Sequence, residues 1–444
     1  MNPVACIRGV VGRPNRGAVV MKSFSFVGVI SFCLLFVVST SDLRANGFRN
    51  PPEGAEALGK IGGKVAQIDD PSAIAINPAN LTEVKTPSFD GGYTLVYSET
   101  TFHSTAGQTT TTHRPIKVIP NAFLAWPMKD EPYVFGLGVT SPFGQSTVWG
   151  QHSVLRFTAP WFAELTVINL NPTFATPITD QLSIGVGADC FLSRIDQRQF
   201  LSWTAFTGNP TASDGEGNFK ADGVGFGGNL GITWKFAPKQ RLALTYRSPV
   251  DVEYSGTLHL SNRPSDAALP PPFRGVTSTS PYHTGITFPA IVALGYGIEP
   301  CPNVRVEADV EWVQFSSYHR LRTEVDNNDV LLPSTGTLQD WNDIWTFGVG
   351  GDWAFAKDTV LRAGYQFLQT PIPDYTYSPI IPDSDKHVFS IGIGRTIKKH
   401  MRVEVSYAGT YFVDRNISNN QNAAFNGVYE LTSHLISVSG KFFF

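Results

Sequence analysis

Val304-Arg305-Val306-Glu307-Ala308-Asp309-Val310-Glu311-Trp312 alternates without a break. Val304, Val306, Ala308, Val310 and Trp312 fall on one face of an extended chain, and Arg305, Glu307, Asp309 and Glu311 fall on the other. Such a period of two is a strand with two unlike faces. The pattern recurs. Val224, Phe226, Leu230, Ile232, Trp234 and Phe236 oppose Gly225, Gly227, Asn229, Gly231, Thr233 and Lys235. Leu242, Leu244 and Tyr246 oppose Arg241, Thr245 and Arg247, and Val403, Val405, Tyr407 and Tyr411 oppose Arg402, Glu404, Ser406 and Thr410. A soluble sheet also alternates, with its apolar face inward. Here the polar face mixes Arg, Glu and Asp as a hydrated lumen would, and strands of about ten residues are long enough to cross a bilayer with tilt. The pattern predicts a transmembrane β-barrel.

Composition agrees. Only 16% of the 444 residues are charged, against about a quarter in an average globular protein. Aromatic residues make up 12%, with 31 Phe, alongside 41 Gly and 31 Pro. A mean hydropathy of -0.06 is too polar for a bundle of membrane helices. The net charge of -3 supplies no field to attract nucleic acid.

The connections alternate in length. Short polar turns fall at 128–131, 178–181, 237–240, 299–303, 356–358 and 398–400. Longer stretches rich in Gly, Ser, Thr and Asn fall near 104–114, 142–160, 204–222, 261–281, 325–338, 370–386 and 416–429. Six turns and seven loops predict an all-β fold, a fourteen-stranded antiparallel barrel over 88–444, with short periplasmic turns and long outer loops. Closure would also remove the exposed edges that an open sheet leaves. Trp126, Trp234 and Trp353 each precede a short turn, where an interfacial girdle would lie, although a core position in a soluble sandwich is the alternative. The terminal Phe444 resembles the signal read by the outer-membrane barrel assembly machinery.

Residues 1–45 read as an address. From Met21, Lys22 is a short basic region, 24–38 is apolar, and Leu43-Arg44-Ala45 gives a cleavage site. A signal anchor is the alternative, but the apolar run is short for a span of about 20 residues. The stretch 1–20 is either a long basic region or a misassigned start. Cleavage would leave Cys190 and Cys301, one in a strand pattern and one in a turn, so a disulfide between them is not expected. No cysteine or histidine spacing suits a metal, and no cofactor motif occurs. No Gly-x-Ser-x-Gly elbow is present, and His113, His152, His283 and His434 lie in no nucleophile motif, which argues against an enzyme.

Residues 46–87 show no period of two and are too few to fold alone. Placed ahead of the first strand, near Ser88, they are expected to plug the barrel.

Four stretches, in order, resemble the FadL/TodX (OMPP1) family of outer-membrane transporters. They are Asp69-Asp70-Pro71-Ser72 with Asn77-Pro78-Ala79, Ser141-Pro142-Phe143-Gly144, Asn229-Leu230-Gly231 through Leu242-Ala243-Leu244-Thr245-Tyr246-Arg247-Ser248, and Ile381-Pro382-Asp383-Ser384-Asp385 leading into Ser390-Ile391-Gly392-Ile393-Gly394. The resemblance runs from about Gly47 to Phe444. It implies an amino-terminal hatch containing Asp69, Asp70, Asn77, Pro78 and Ala79, and passive uptake of hydrophobic molecules such as long-chain fatty acids or aromatic hydrocarbons. It also implies lateral exit at an inward-bent third strand, here about 132–142. Pro142 lacks an N–H and would interrupt the ladder there, so Pro142 and Gly144 are the expected gate. The partners implied are the hydrophobic ligand and outer-membrane lipid.

Candidate ligand contacts are Phe143, Val148, Trp149, Val154, Leu155 and Phe157 in one outer loop and Leu269 and Phe273 in another, unless these merely pack the loops. Arg194 falls where the resemblance places a basic ligand contact, with Arg198 beside it. Alternation from Leu182, Ile184, Val186 and Ala188, however, turns Arg194 outward unless the strand bulges, and pairing with Asp196 is the competing role. No basic residue occurs at 336–343, where the resemblance places a second such contact, so a ligand less acidic than a fatty acid is expected. A general porin without a plug, or a structural barrel, is the competing function.

Overall fold

The structure is a computed structural model that describes residues 47–326, 336–398 and 400–444. The expected signal peptide lies outside the described residues.

Fourteen antiparallel strands close into a barrel. They are β1 (Ser88–Ser104), β2 (Thr109–Thr111 and Ile116–Pro127), β3 (Val134–Thr140 and Gly144–Val148), β4 (Phe162–Pro177), β5 (Leu182–Leu201), β6 (Gly215–Ala237) and β7 (Gln240–Arg247 and Val250–Leu260). There follow β8 (Thr279–Phe288 and Ile291–Cys301), β9 (Val304–Val313 and Thr323–Val325), β10 (Ile344–Ala356), β11 (Thr359–Leu368), β12 (Lys386–Ile397), β13 (Met401–Phe412 and Arg415–Ile417) and β14 (Gly427–Phe443). Closure is by β1 on β14, in register from Ser88 opposite Phe443 to Ser104 opposite Gly427. All six expected short turns join strands as anticipated, and the long loops lie at the other end.

The period of two sets the faces. Outward residues are apolar and exposed, among them Phe226, Val306, Phe347, Ile391 and Ile436. Trp126, Trp234 and Trp353 also point outward, beside the short turns. Inward residues of β9 are the reverse: Glu307, Asp309 and Glu311 are buried. Cys190 and Cys301 are free thiols.

These inward charges are buried because residues 47–87 lie against them. This segment forms two short helices, α1 (Ala55–Gly59) and α2 (Ala73–Ile76), and a 3-10 turn over Pro78–Glu83. Asn77-Pro78-Ala79 sits directly on Gly185 of β5 and Gly231 of β6, where any Cβ would collide with it. Asn77 donates from its side chain to Val65 O and Thr233 Oγ1 and accepts from Ala79 N–H.

Ion pairs fix the rest. Lys441 contacts Glu56 at 2.8 Å, Glu404 at 3.2 Å, and Asp70. Arg362 reaches Glu56 at 2.9 Å, Arg305 reaches Asp69 at 3.0 Å, and Arg241 also holds Asp69, at 2.6 Å. Lys60 lies 3.3 Å from Asp352, while Lys64 pairs with Glu311. The backbone N–H groups of Lys64 and Ala66 donate to Asp309 and Glu307. A buried charge is costly without a partner, so these complementary sets specify one seating of the segment.

Candidate functional site

The third strand breaks at Ser141, Pro142 and Phe143. Its lower piece pairs with β2 from Ala122 opposite Val139 downward. Its upper piece, Gly144–Val148, pairs with β4 but not with β2. Residues 116–121 of β2 therefore keep their β1 partners and, among the described residues, have no strand partner on the β3 side. Six residues at about 3.3 Å each make a slit roughly 20 Å long in the wall. It is bounded above by the hydrogen bond from His113 N–H to Val148 O.

The broken strand finds another partner. Arg49 and Phe143 form an isolated antiparallel bridge. Asn50 N–H donates to Pro142 O at 3.0 Å, Gly144 N–H donates to Phe48 O at 2.9 Å, and the Asn50 side chain donates to Ser141 O at 2.8 Å. Pro142 has no N–H to offer β2, whereas its carbonyl is satisfied from inside. Phe48 anchors this contact. Its ring lies 5.2 to 6.0 Å from those of Trp341, Tyr318, Phe315, Phe288 and Phe143.

A cavity of 420 Å³ lies beside this bridge. One part of its lining is apolar lumen: Leu58 and Ile61 from the amino-terminal segment, and Leu368, Val388, Leu431 and Leu435 from the barrel. Another part is the slit, from Lys117 to Ile119 and from Ser141 to Val148. Along β2, Lys117 and Ile119 face in while Val118 faces out, 61% exposed. Along β4, Leu165 and Val167 face in while Glu164 and Thr166 face out. All of these line the one cavity, so it passes through the barrel wall. Such a space can accept an apolar chain from the lumen and release it sideways.

Of the expected contacts, Phe143, Trp149 and Leu155 are buried in the outer aromatic core that surrounds Phe48, and Val154 and Phe273 pack against it. Phe143, Val148 and Gly144 line the cavity; Phe157 is 42% exposed and does not. Leu269 is buried.

Arg194 requires a correction. The β5–β6 register runs without a bulge through it. Its side chain therefore points out of the barrel, 71% exposed, and bonds Asp222 at 2.6 Å rather than a lumen ligand. Asp196 is taken by Arg198 at 3.1 Å, and Arg198 lies over the Phe162 ring, also away from the cavity.

Sequence reading missed Phe48, Arg49, Asn50 and Lys117. The signal for Arg49 and Lys64 was present in the inward acids of β9, which demand cations from somewhere. Phe48-Arg49-Asn50 itself carries no periodicity.

A family model described as outer membrane protein transport protein (OMPP1/FadL/TodX) matches residues 36–444. The long-chain fatty acid transport protein of Salmonella typhi is 23% identical over 390 residues, covering 83% of this chain and 88% of that protein. Outer membrane protein P1 of Haemophilus influenzae is 21% identical over 418 residues, covering 84% and 87%. Among solved structures, a FadL homologue of Pseudomonas aeruginosa superposes with a TM-score of 0.79 at 19% identity, covering 90% of this chain and all of that one. The toluene transporter TodX of P. putida superposes with a TM-score of 0.67 at 19% identity, covering 91% and 99%. A closed fourteen-stranded barrel, a broken third strand and a match along essentially the whole described chain coincide: this chain belongs to the OMPP1/FadL/TodX family of outer-membrane transport proteins.

Proposed function

We propose that the protein carries hydrophobic molecules, long-chain fatty acids or monoaromatic hydrocarbons, passively from the lumen into the membrane through the slit beside β3. One observation carries this reading: a single cavity is lined by lumen apolar residues and by both faces of the wall. An apolar solute gains nothing from a water-filled pore, whereas each methylene withdrawn from water gains about 0.8 kcal/mol. A path of apolar surfaces ending in lipid therefore suits such a cargo. Residues 46–87 act as the hatch, with Asp69, Asp70 and Asn77-Pro78-Ala79 in its pinned part and Phe48-Arg49-Asn50 as the part that must let go. Pro142 and Gly144 are the gate. Phe143, Trp149 and Leu155 belong to the greasy outer entrance, which opens as Phe48 leaves its cage. Residues 1–45 serve as the export signal, and Phe444 is read by the barrel assembly machinery.

The test is uptake by cells whose outer membrane lacks other hydrophobic uptake proteins. Labelled oleate and toluene should enter only when this chain is present, and sugar-driven swelling of liposomes containing it should stay at background. Swelling with no hydrophobic uptake would make it a porin.

A further inference from the structure

Five lysines and arginines line the wall-crossing cavity: Arg49, Lys64, Lys117, Arg247 and Lys386. Four are paired with carboxylates. Arg49 and Lys64 share Glu311, Arg247 holds Asp189 at 2.6 Å, and Lys386 lies 3.4 Å from Asp383. Lys117 differs. Its ammonium donates to the backbone carbonyl of Arg114 at 2.7 Å and has no carboxylate partner among the described residues. Glu164, the acidic group on the outer lip, attracts it through space without closing to a salt bridge, and the neighbouring Arg114 opposes that attraction.

The position matters as much as the charge. Lys117 faces inward on the edge of β2 that has no strand partner, near the upper end of the slit. A cation held beside apolar lining, with ammonium donors unspent, is a receptor for an anion. Its inward register turns it from lipid head groups toward whatever moves through the opening. With a carboxylate held there, the tail of an amphiphile would lie along the slit below, against Ile119 and Leu165.

We infer that Lys117 is a specificity-determining residue that receives the carboxylate of an acidic, long-chain amphiphile at the wall opening, so that fatty acids rather than neutral hydrocarbons are the preferred cargo. The inference rests on the lateral-passage reading above.

The test compares Lys117→Met and Lys117→Arg with the wild type in whole cells, using labelled oleate, oleyl alcohol and toluene, after heat-modifiability on gels confirms folded barrels. Loss of one charge-assisted contact should slow oleate entry by on the order of tenfold in the Met variant. Oleyl alcohol should enter at the wild-type rate, and Arg should restore oleate. Unchanged oleate entry in the Met variant, or equal loss of oleate and oleyl alcohol, overturns the inference while leaving lateral passage standing. Loss of co-purifying lipopolysaccharide with oleate entry unchanged assigns the lysine to lipid and overturns it too. Wild-type cells that admit neither oleate nor oleyl alcohol would instead sink the transport reading itself.

Discussion

Arg49 and Phe143 face each other across an antiparallel bridge that joins the start of the amino-terminal segment to the break in β3. The two elements that would have to part for cargo to leave are thus held by the same few hydrogen bonds. From Glu56 onward the segment is tied by many buried ion pairs and by the Asn77 hydrogen bonds, whereas residues 47–53 share in one ion pair among the described residues, Arg49 with Glu311. This division makes residues 47–53 the mobile candidate and leaves the remainder as scaffold.

Lys441 tests the scaffold. It pairs with Glu56, Asp70 and Glu404 together. Lys441→Met should destabilise the seated segment by about 3–5 kcal/mol, because three carboxylates lose their shared cation. The midpoint of the heat-induced gel shift should fall clearly. Adding Glu404→Gln should recover part of the loss, and a double-mutant cycle would show the coupling.

Removing residues 46–80 should open the lumen. The inward polar faces of β9, β11 and β14 would then be hydrated, and single-channel conductance in planar bilayers should rise well above that of the intact protein. Unchanged conductance would mean that the segment does not plug the barrel.

The break in β3 is open to direct repair. Pro142→Val restores an N–H, and Gly144→Val places a side chain against Asn50 Nδ2 and Leu165 O, which a Cβ would approach to 3.1 and 3.3 Å. The double variant should fold but take up oleate more slowly. Uptake at the wild-type rate would count against the slit as the exit.

Glu53 supplies a pH dependence. Burial pushes its carboxyl up from the ordinary value of 4.5, against the pull of Arg247 and Arg49 and with Asp189 adding to the rise. Its Oε1 is enclosed and has no hydrogen-bond partner. A raised value in the seated state means that seating binds a proton. Seating is therefore strongest below 4.5 and weakens as pH climbs through the raised value. Amide exchange at Asn50, divided by that of Glu53→Gln at each pH, should increase over this window. A flat ratio would contradict it.

The barrel was largely legible. A strict period of two and six short turns suffice to place fourteen strands, because both are local properties. The partners of the inward charges were not legible. Glu56 meets Lys441 and Arg49 meets Glu311 only through closure of the whole barrel, across hundreds of residues. Arg194 shows the reverse case. Alternation alone turned it outward, and the structure agrees with the alternation rather than with the family analogy. The break at Pro142 was visible as a missing donor, but its inner partner Asn50 was not, since nothing local marks a single bridge.

The most direct measurement concerns the bridge itself. Hydrogen bonds on either side of Arg49 and Phe143 make them a non-hydrogen-bonded pair, with Cα atoms about 4.5 Å apart, within reach of a disulfide. Arg49→Cys with Phe143→Cys, in a Cys190→Ser and Cys301→Ser background, should lock residues 47–53 to β3 when oxidised. Oleate uptake should then stop and return on reduction. Equal uptake in the oxidised and reduced states would show that cargo leaves by another route.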